Sequence, residues 1–306
     1  MCGPTIIDTD SALALQANAL QGIYNLKADA INTALAFDAQ SNANRLCFVA
    51  GTRYTDAGGT SSHALAGTFG MSYEVNPHVR VGGYIEQALS HHDDGGVDSS
   101  ADTPLFALFG DWSQSADGTG PMLHLSAGVD QDRLDLTRTV VGSSVAGRGA
   151  ADLNTYGANA VFSYGMPWQS WLATPFAGLR YTRINRDGYT ETTPFPITFD
   201  DLTDSAATVL AGLRLSKHIS ERIAVNGSLG FELDLAHTSG SNHGMSGTAV
   251  GAPFNADDNR FRPTASFGGS FMTVPGQDIV AGVSYREGSF SGTRTLDATL
   301  GYQIGF

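Results

Sequence analysis

His91-His92-Asp93-Asp94 is the run in the sequence where imidazoles and carboxylates stand shoulder to shoulder. Such groups can ligate a metal ion or activate water. His237 and His243 add two imidazoles in a second polar stretch. Neighbours along a chain do not by themselves converge on one point, so this run would need partners from elsewhere to become a site. A solvated acidic loop is the simpler expectation. Asp200-Asp201 and Asp257-Asp258 are further acidic pairs, without the ligand spacing of a calcium loop. There is no Gly-x-Ser-x-Gly elbow and no Gly-x-x-x-x-Gly-Lys phosphate loop. The sequence therefore assigns no catalytic residue, no metal and no cofactor.

Composition narrows the classes further. The 306 residues carry 30 acids against 17 bases, a formal net charge of −13. That opposes nucleic-acid binding, which draws on basic surface. Charged residues are only 15% of the chain and 37 residues are glycine, and no apolar run reaches the length of a membrane helix. Cys2 and Cys47 do not make a disulfide framework, and nothing supports a bond between them. Met1-Cys2-Gly3-Pro4 opens no basic and apolar leader. The expectation is a mature form or a fragment.

The elements that would position any functional group fall into two kinds. Residues 11–40 are helix formers, with Leu13, Ala17, Leu20, Tyr24, Ala28, Ile31 and Leu35 three or four apart on one face. Asn18, Gln21, Asn25, Asp29 and Asn32 lie elsewhere around the axis. At 1.5 Å per residue, such a helix spans roughly 45 Å, enough to cross a barrel. An amphipathic surface helix would show the same pattern. Residues 1–44 are read as linker and pore helix, and 45–306 as one barrel.

From Asn44 onward the period is two. Leu296, Ala298, Leu300, Tyr302, Ile304 and Phe306 alternate with Thr295, Asp297, Thr299, Gly301, Gln303 and Gly305. The same alternation predicts twelve strands, at 45–54, 62–74, 79–90, 103–113, 120–140, 152–166, 170–187, 204–217, 221–237, 259–274, 278–287 and 293–306. These are mostly as long as tilted membrane strands, which need about 9–11 residues. Short connections alternate with longer ones near 91–102, 141–151, 188–203 and 238–258, the habit of outer-membrane barrels. Tyr54, Tyr73, Trp112, Tyr164, Trp168, Trp171, Tyr181 and Tyr302 would form the interfacial girdles. The fold class is thus an all-β, twelve-stranded antiparallel transmembrane β-barrel with an N-terminal helix threading the pore.

Polar side chains follow from that geometry. Arginine facing lipid at the midplane costs about 2–4 kcal/mol. Arg180, Arg214, Arg262 and Arg286 are therefore expected to point inward, with Glu86, Glu232, Asp234 and Asp297. They would line the pore and hold the helix residues Leu13, Leu20, Tyr24, Ile31 and Leu35, or only satisfy one another. Gly51, Gly70, Gly82, Gly178, Gly212, Gly230, Gly268 and Gly301 share the lumen side, where they would make room for the helix or relieve curvature.

Two stretches carry a family likeness: Thr174-Pro175-Phe176-Ala177-Gly178-Leu179-Arg180-Tyr181, followed by Gly188-Tyr189-Thr190-Glu191, and the terminal Leu300-Gly301-Tyr302-Gln303-Ile304-Gly305-Phe306. With the helix and strand count, residues 10 to 306 resemble the translocator domain of classical, monomeric autotransporters. That resemblance implies a bacterial outer-membrane location and a monomer. It also implies a passenger covalently linked in front, delivered to the cell surface, and no enzymatic role for the barrel. It further implies handling by periplasmic chaperones and an assembly signal (Tyr302, Ile304, Phe306) read by the barrel assembly machinery. Some members cut the helix at an Asn-Asn pair. Here Ala43 separates Asn42 from Asn44, so self-cleavage is not carried over. The alternatives are a porin-like channel plugged by its helix and, further off, an outer-membrane hydrolase using the loop histidines.

Overall fold

The computed structural model describes residues 6–39, 45–60, 62–92, 96–99, 103–193, 196–240, 242–246, 248–252 and 259–306. Helix α1 covers Ile6–Leu35. Twelve long strands follow: β1 Leu46–Gly58, β2 Ser62–Asn76, β3 Val79–His92, β4 Leu105–Ser113, β5 Gly120–Arg138 and β6 Gly147–Trp168. The second half holds β7 Trp171–Arg186, β8 Leu202–Ser220, β9 Ile223–Ser239, β10 Phe261–Val274, β11 Gln277–Glu287 and β12 Arg294–Gly305. Each pairs antiparallel with its successor, and β1 pairs with β12 from Cys47↔Gly305 to Gly58↔Arg294, so the sheet closes.

Closure explains the exposure pattern. Leu229, Phe267 and Leu300 lie on the outside and are 71%, 63% and 59% exposed, whereas Thr295 and Asp297 on the other face of β12 are buried. Hydrophobic out and polar in inverts a water-soluble protein and suits a lipid surround. Tyr54, Tyr73, Trp112, Tyr164, Trp168, Tyr181 and Tyr302 all present exposed rings.

The two rims differ. Tight connections join β2–β3, β4–β5, β6–β7, β8–β9 and β10–β11 at the end that also holds both barrel termini. In the turn at that rim, the Thr119 hydroxyl and amide hold the Asp117 carboxyl below its ordinary range. At the opposite rim the wall is taller on one side, because β5 to β9 run 16–22 residues against 9–15 for the rest.

The structure corrects two expectations here. The stretches 188–203 and 238–258, read as loops, contribute strands Tyr189–Thr190, Thr198–Phe199, Asn242–Ser246 and Thr248–Ala252 to a separate four-stranded sheet. β6 likewise starts at Gly147, inside the predicted loop, and Val97–Ser99 adds a short strand to β5. Glycine, serine and alanine dominate 238–258, and threonine and proline interrupt 188–203, so the alternation that marks lipid-facing strands is faint in both.

Helix α1 lies inside the barrel, not on a surface. It contacts β1 to β7 and β12, and residues from all round its axis are buried, including Gln16, Asn25, Asp29 and Asn32. It begins and ends about five residues earlier than its sequence pattern predicts. Its end is set by the wall: the Leu35 carbonyl accepts hydrogen bonds from Ser126 Oγ (2.7 Å) and Asn159 Nδ2 (3.4 Å), with His124 Nε2 at 2.8 Å. Orphan carbonyls at a helix C-terminus need such partners. Two wall glycines admit the last turns. A Cβ on Gly157 would stand 2.6 Å from Leu35 Cδ1 and 2.9 Å from Ile31 Cγ1, and one on Gly128 would stand 2.9 Å from Ile31 Cδ1. Gly157→Val should therefore overpack the lumen, costing about 1–3 kcal/mol. A lower urea midpoint for the refolded barrel, with Ala158→Val on the lipid side as an unchanged control, would show it.

Candidate functional site

The lumen is filled in three tiers along α1. At the tall rim, Leu13, Ala17, Leu20, Ile23 and Tyr24 join Leu134, Leu136, Leu153, Ile184, Phe199 and Leu202 in one apolar cluster. At the tight-turn rim, Ile31, Ala34 and Leu35 pack with Tyr84, Leu105 and Ala107, and the Phe37 ring lies tilted against Tyr84 and edge-on to Phe109. Between them lies a belt of ions.

Asp29 is the helix residue in that belt. Its carboxylate takes Arg286 Nη1 at 2.6 Å, Arg53 Nη1 at 3.0 Å and the Thr295 hydroxyl at 2.9 Å. Arg53 also holds Glu86 and, at 2.8 Å, Asp297. Asp297 in turn accepts from Thr55 and Ser284. Glu232 pairs with Arg180 (2.5 Å), Arg286 (3.1 Å) and Arg262 (3.4 Å). Arg262 also binds Asp234 at 2.5 Å. The wall contributes four arginines (53, 180, 262, 286) and four acids (Glu86, Glu232, Asp234, Asp297) to this belt, so it is balanced before the helix is counted. Low local dielectric makes each pairing strong and each orphan costly.

On the other side of the axis, Lys27 Nζ lies 2.9 Å from Asp130 and also pairs with Asp132. Higher up, the Tyr24 hydroxyl donates to the Leu202 carbonyl at 2.9 Å. A short outer hairpin clasps the top of α1. Arg186, fully buried, lies 4.8 Å over the Tyr189 ring and 5.9 Å from that of Phe199, and donates to the Asp200 carbonyl at 2.6 Å. Arg138 grips Glu191 at 2.8 Å. Gln16 of the helix donates to the Tyr189 hydroxyl at 3.3 Å. Burial pushes the Tyr189 phenol above its ordinary range.

An apolar-faced closed barrel with a charged lumen and a helix inside it can be set beside known proteins. A family model described as the autotransporter beta-domain matches residues 48–286. The chain belongs to the autotransporter β-domain family. Among solved structures, the translocator domain of the autotransporter NalP from Neisseria meningitidis aligns with a TM-score of 0.69 at 17% identity, over 97% of this chain and 99% of that one. The β domain of the Bordetella autotransporter BrkA gives 0.56 at 14% identity, over 88% and 100%. At such identities the likeness is one of fold. A comparison with curated proteins gives no match. As an autotransporter β-domain, the chain is an outer-membrane translocator whose family is one of transporters.

Within this autotransporter β-domain, the predicted residues separate. Glu86, Arg180, Glu232, Asp234, Arg262 and Asp297 are buried in the belt, and Arg286 is partly buried there. Arg214 is not part of it. It shares the lumen face but sits exposed near the β8–β9 turn, opposite Thr174 and Ser228. Leu13, Leu20 and Tyr24 fall in the upper apolar tier, Ile31 and Leu35 in the lower. Tyr302 and Phe306 are exposed on the outer wall and Ile304 is half-buried there, with the Phe306 ring edge-on to Phe48.

The histidine run does not converge. The His92 ring lies tilted against that of His63, 5.0 Å between centroids, while His91 takes the other face of β3. Asp93, Asp94, Asp257 and Asp258 lie outside the described residues, as do Cys2, Asn42 and Asn44. His237 instead pairs with Asp204 at 2.9 Å, and Asp201 accepts the Gly188 amide at 2.6 Å. Sequence reasoning missed Arg53, Lys27, Asp130 and Asp132. Alternation alone would have turned the last two inward, since they flank the outward Gln131. Breaking the hub of the belt should be costly. Arg53→Met leaves Asp29, Glu86 and Asp297 short of a cation, an expected loss of about 3–5 kcal/mol. Denaturant titration of the refolded barrel, against Arg214→Met as a near-neutral control, measures it.

Proposed function

We propose that α1 is the trailing segment of an exported chain, halted in the pore with a passenger tethered beyond the tall rim, and that the barrel itself performs no catalysis. The observation that carries this is the polarity of the helix. Its C-terminal carbonyl lies against Ser126 and Asn159, and Ala39 bonds Ser72 beside Cys47, where β1 starts. Its first turns reach the opposite rim, where Asp8 accepts the Ser143 amide at 2.8 Å. A segment ahead of α1 is thus delivered on the side of the longer connections, which in outer-membrane barrels is the cell exterior.

The two apolar tiers favour a sealed lumen over a porin-like channel, because water and ions cross packed aliphatic layers poorly. On this reading the terminal Tyr302, Ile304 and Phe306 engage the barrel assembly machinery after periplasmic chaperones have kept the unpaired strands apart. Two measurements test it. Deleting residues 6–35 should raise single-channel conductance in a planar bilayer severalfold, and an unchanged conductance would mean that α1 does not seal the pore. Removing Phe306 should lower the amount of folded, heat-modifiable barrel in outer-membrane fractions by roughly an order of magnitude in cells. Refolding in detergent, where no machinery acts, should be little changed.

A further inference from the structure

Lys27 and Asp29 are the only charged residues of α1 between Ser11 and Leu35. Two positions along a helix turn about 200° around its axis, so the pair points to opposite sides. The receiving groups are arranged to match. Lys27 meets Asp130 and Asp132, two apart on the lumen face of β5. Asp29 meets Arg53 on β1, Arg286 on β11 and Thr295 on β12. In a closed ring of twelve sequentially paired strands, β11 is six places from β5, directly across the lumen.

We propose that the lumen is a two-point socket for a helix bearing Lys-x-Asp, and that it sets the depth and rotation at which the exported chain stops. The proposal rests on the reading that α1 enters the pore as part of that chain, and adds what selects its final register. The alternatives are plain in the sequence. A slip of one turn would bring Ile23 or Ile31 to the acids of β5, and Asn25 or Thr33 to Arg53 and Arg286. Asp130 and Asp132 are both nearly buried, so either slip leaves two carboxylates in the lumen without a cation. The apolar tiers resist a slip far less, since alanine, leucine and isoleucine recur through the helix and each displaced methyl finds another. A buried charge is costly to strand, whereas apolar contacts are non-directional. Thus the tiers seal and the ions count.

Register can be read by cross-linking. Asn32 Oδ1 lies 3.3 Å from Thr182 Oγ1 on β7. In a background with Cys2 and Cys47 replaced by serine, Asn32→Cys with Thr182→Cys should form a disulfide readily, and Ala28→Cys with Thr182→Cys should not. Exchanging the helix charges (Lys27→Asp with Asp29→Lys) should reduce the 32–182 bond at least fivefold in barrels that keep heat-modifiable migration. Lys27→Asp alone should do likewise, and adding Asp132→Lys, which restores one opposite pair across the gap, should recover it. If the exchanged protein does not fold, the neutral pair Lys27→Met with Asp29→Asn decides, with cross-links expected at both 28 and 32. The proposal is overturned if the 32–182 bond forms at the original rate in either variant, or if Asp132→Lys gives no recovery in a folded barrel. Failure of the underlying reading looks different: the unaltered helix would give no 32–182 bond and an open pore.

Discussion

No backbone donor can be left unpaired in hydrocarbon, because each would cost several kcal/mol. The ladder between β1 and β12 meets that demand for the whole sheet: without it two edges would face lipid. Most of the rest follows. Closing twelve strands turns one face of every strand to the membrane and the other to an enclosed space. The outer face must then be apolar, and the arginines and acids of the strands have only the inside left. A space of this width does not fill with strand side chains alone. The helix supplies the missing volume, and glycines at 128 and 157 let it approach.

The seam and the helix are linked. Arg53 of β1 binds Asp297 of β12 across the closing ladder, and Asp29 of the helix touches β1, β11 and β12 together. Side-chain pairing therefore reinforces the one ladder that joins residues some 250 apart, where loop-closure entropy is greatest. Charge balance matters as well. Four wall arginines face four wall acids in the belt, so these stay matched without Asp29, whereas Asp130 and Asp132 across the lumen depend on Lys27.

The strands were legible because lipid imposes a stricter alternation than water does. Leu229, Phe231, Leu233 and Leu235 leave little choice of face, and the inward setting of Glu232 and Asp234 follows from it. The helix was legible as a helix from its own residues, but its place in the pore followed only from the strand count and the family likeness. Gln16, Asn25 and Asn32 look like a solvated face until the surroundings are known to be polar. The ionic hub was harder still. Nothing in the spacing of Asp29, Arg53 and Arg286 announces that they meet, since the contact depends on closure and on helix depth together. The outer sheet escaped notice for the opposite reason, as small residues such as those of Thr248–Ala252 carry no periodic mark.

The tall side of the wall has a mechanical consequence. Its cluster of Leu134, Leu136, Leu153, Ile184, Phe199 and Leu202 encloses helix residues 13–24. A shift of one turn trades one methyl for another, but full withdrawal would re-expose the whole cluster to water. The tall rim therefore works as a stopper: it tolerates the fine adjustment made by the ions below it and resists removal.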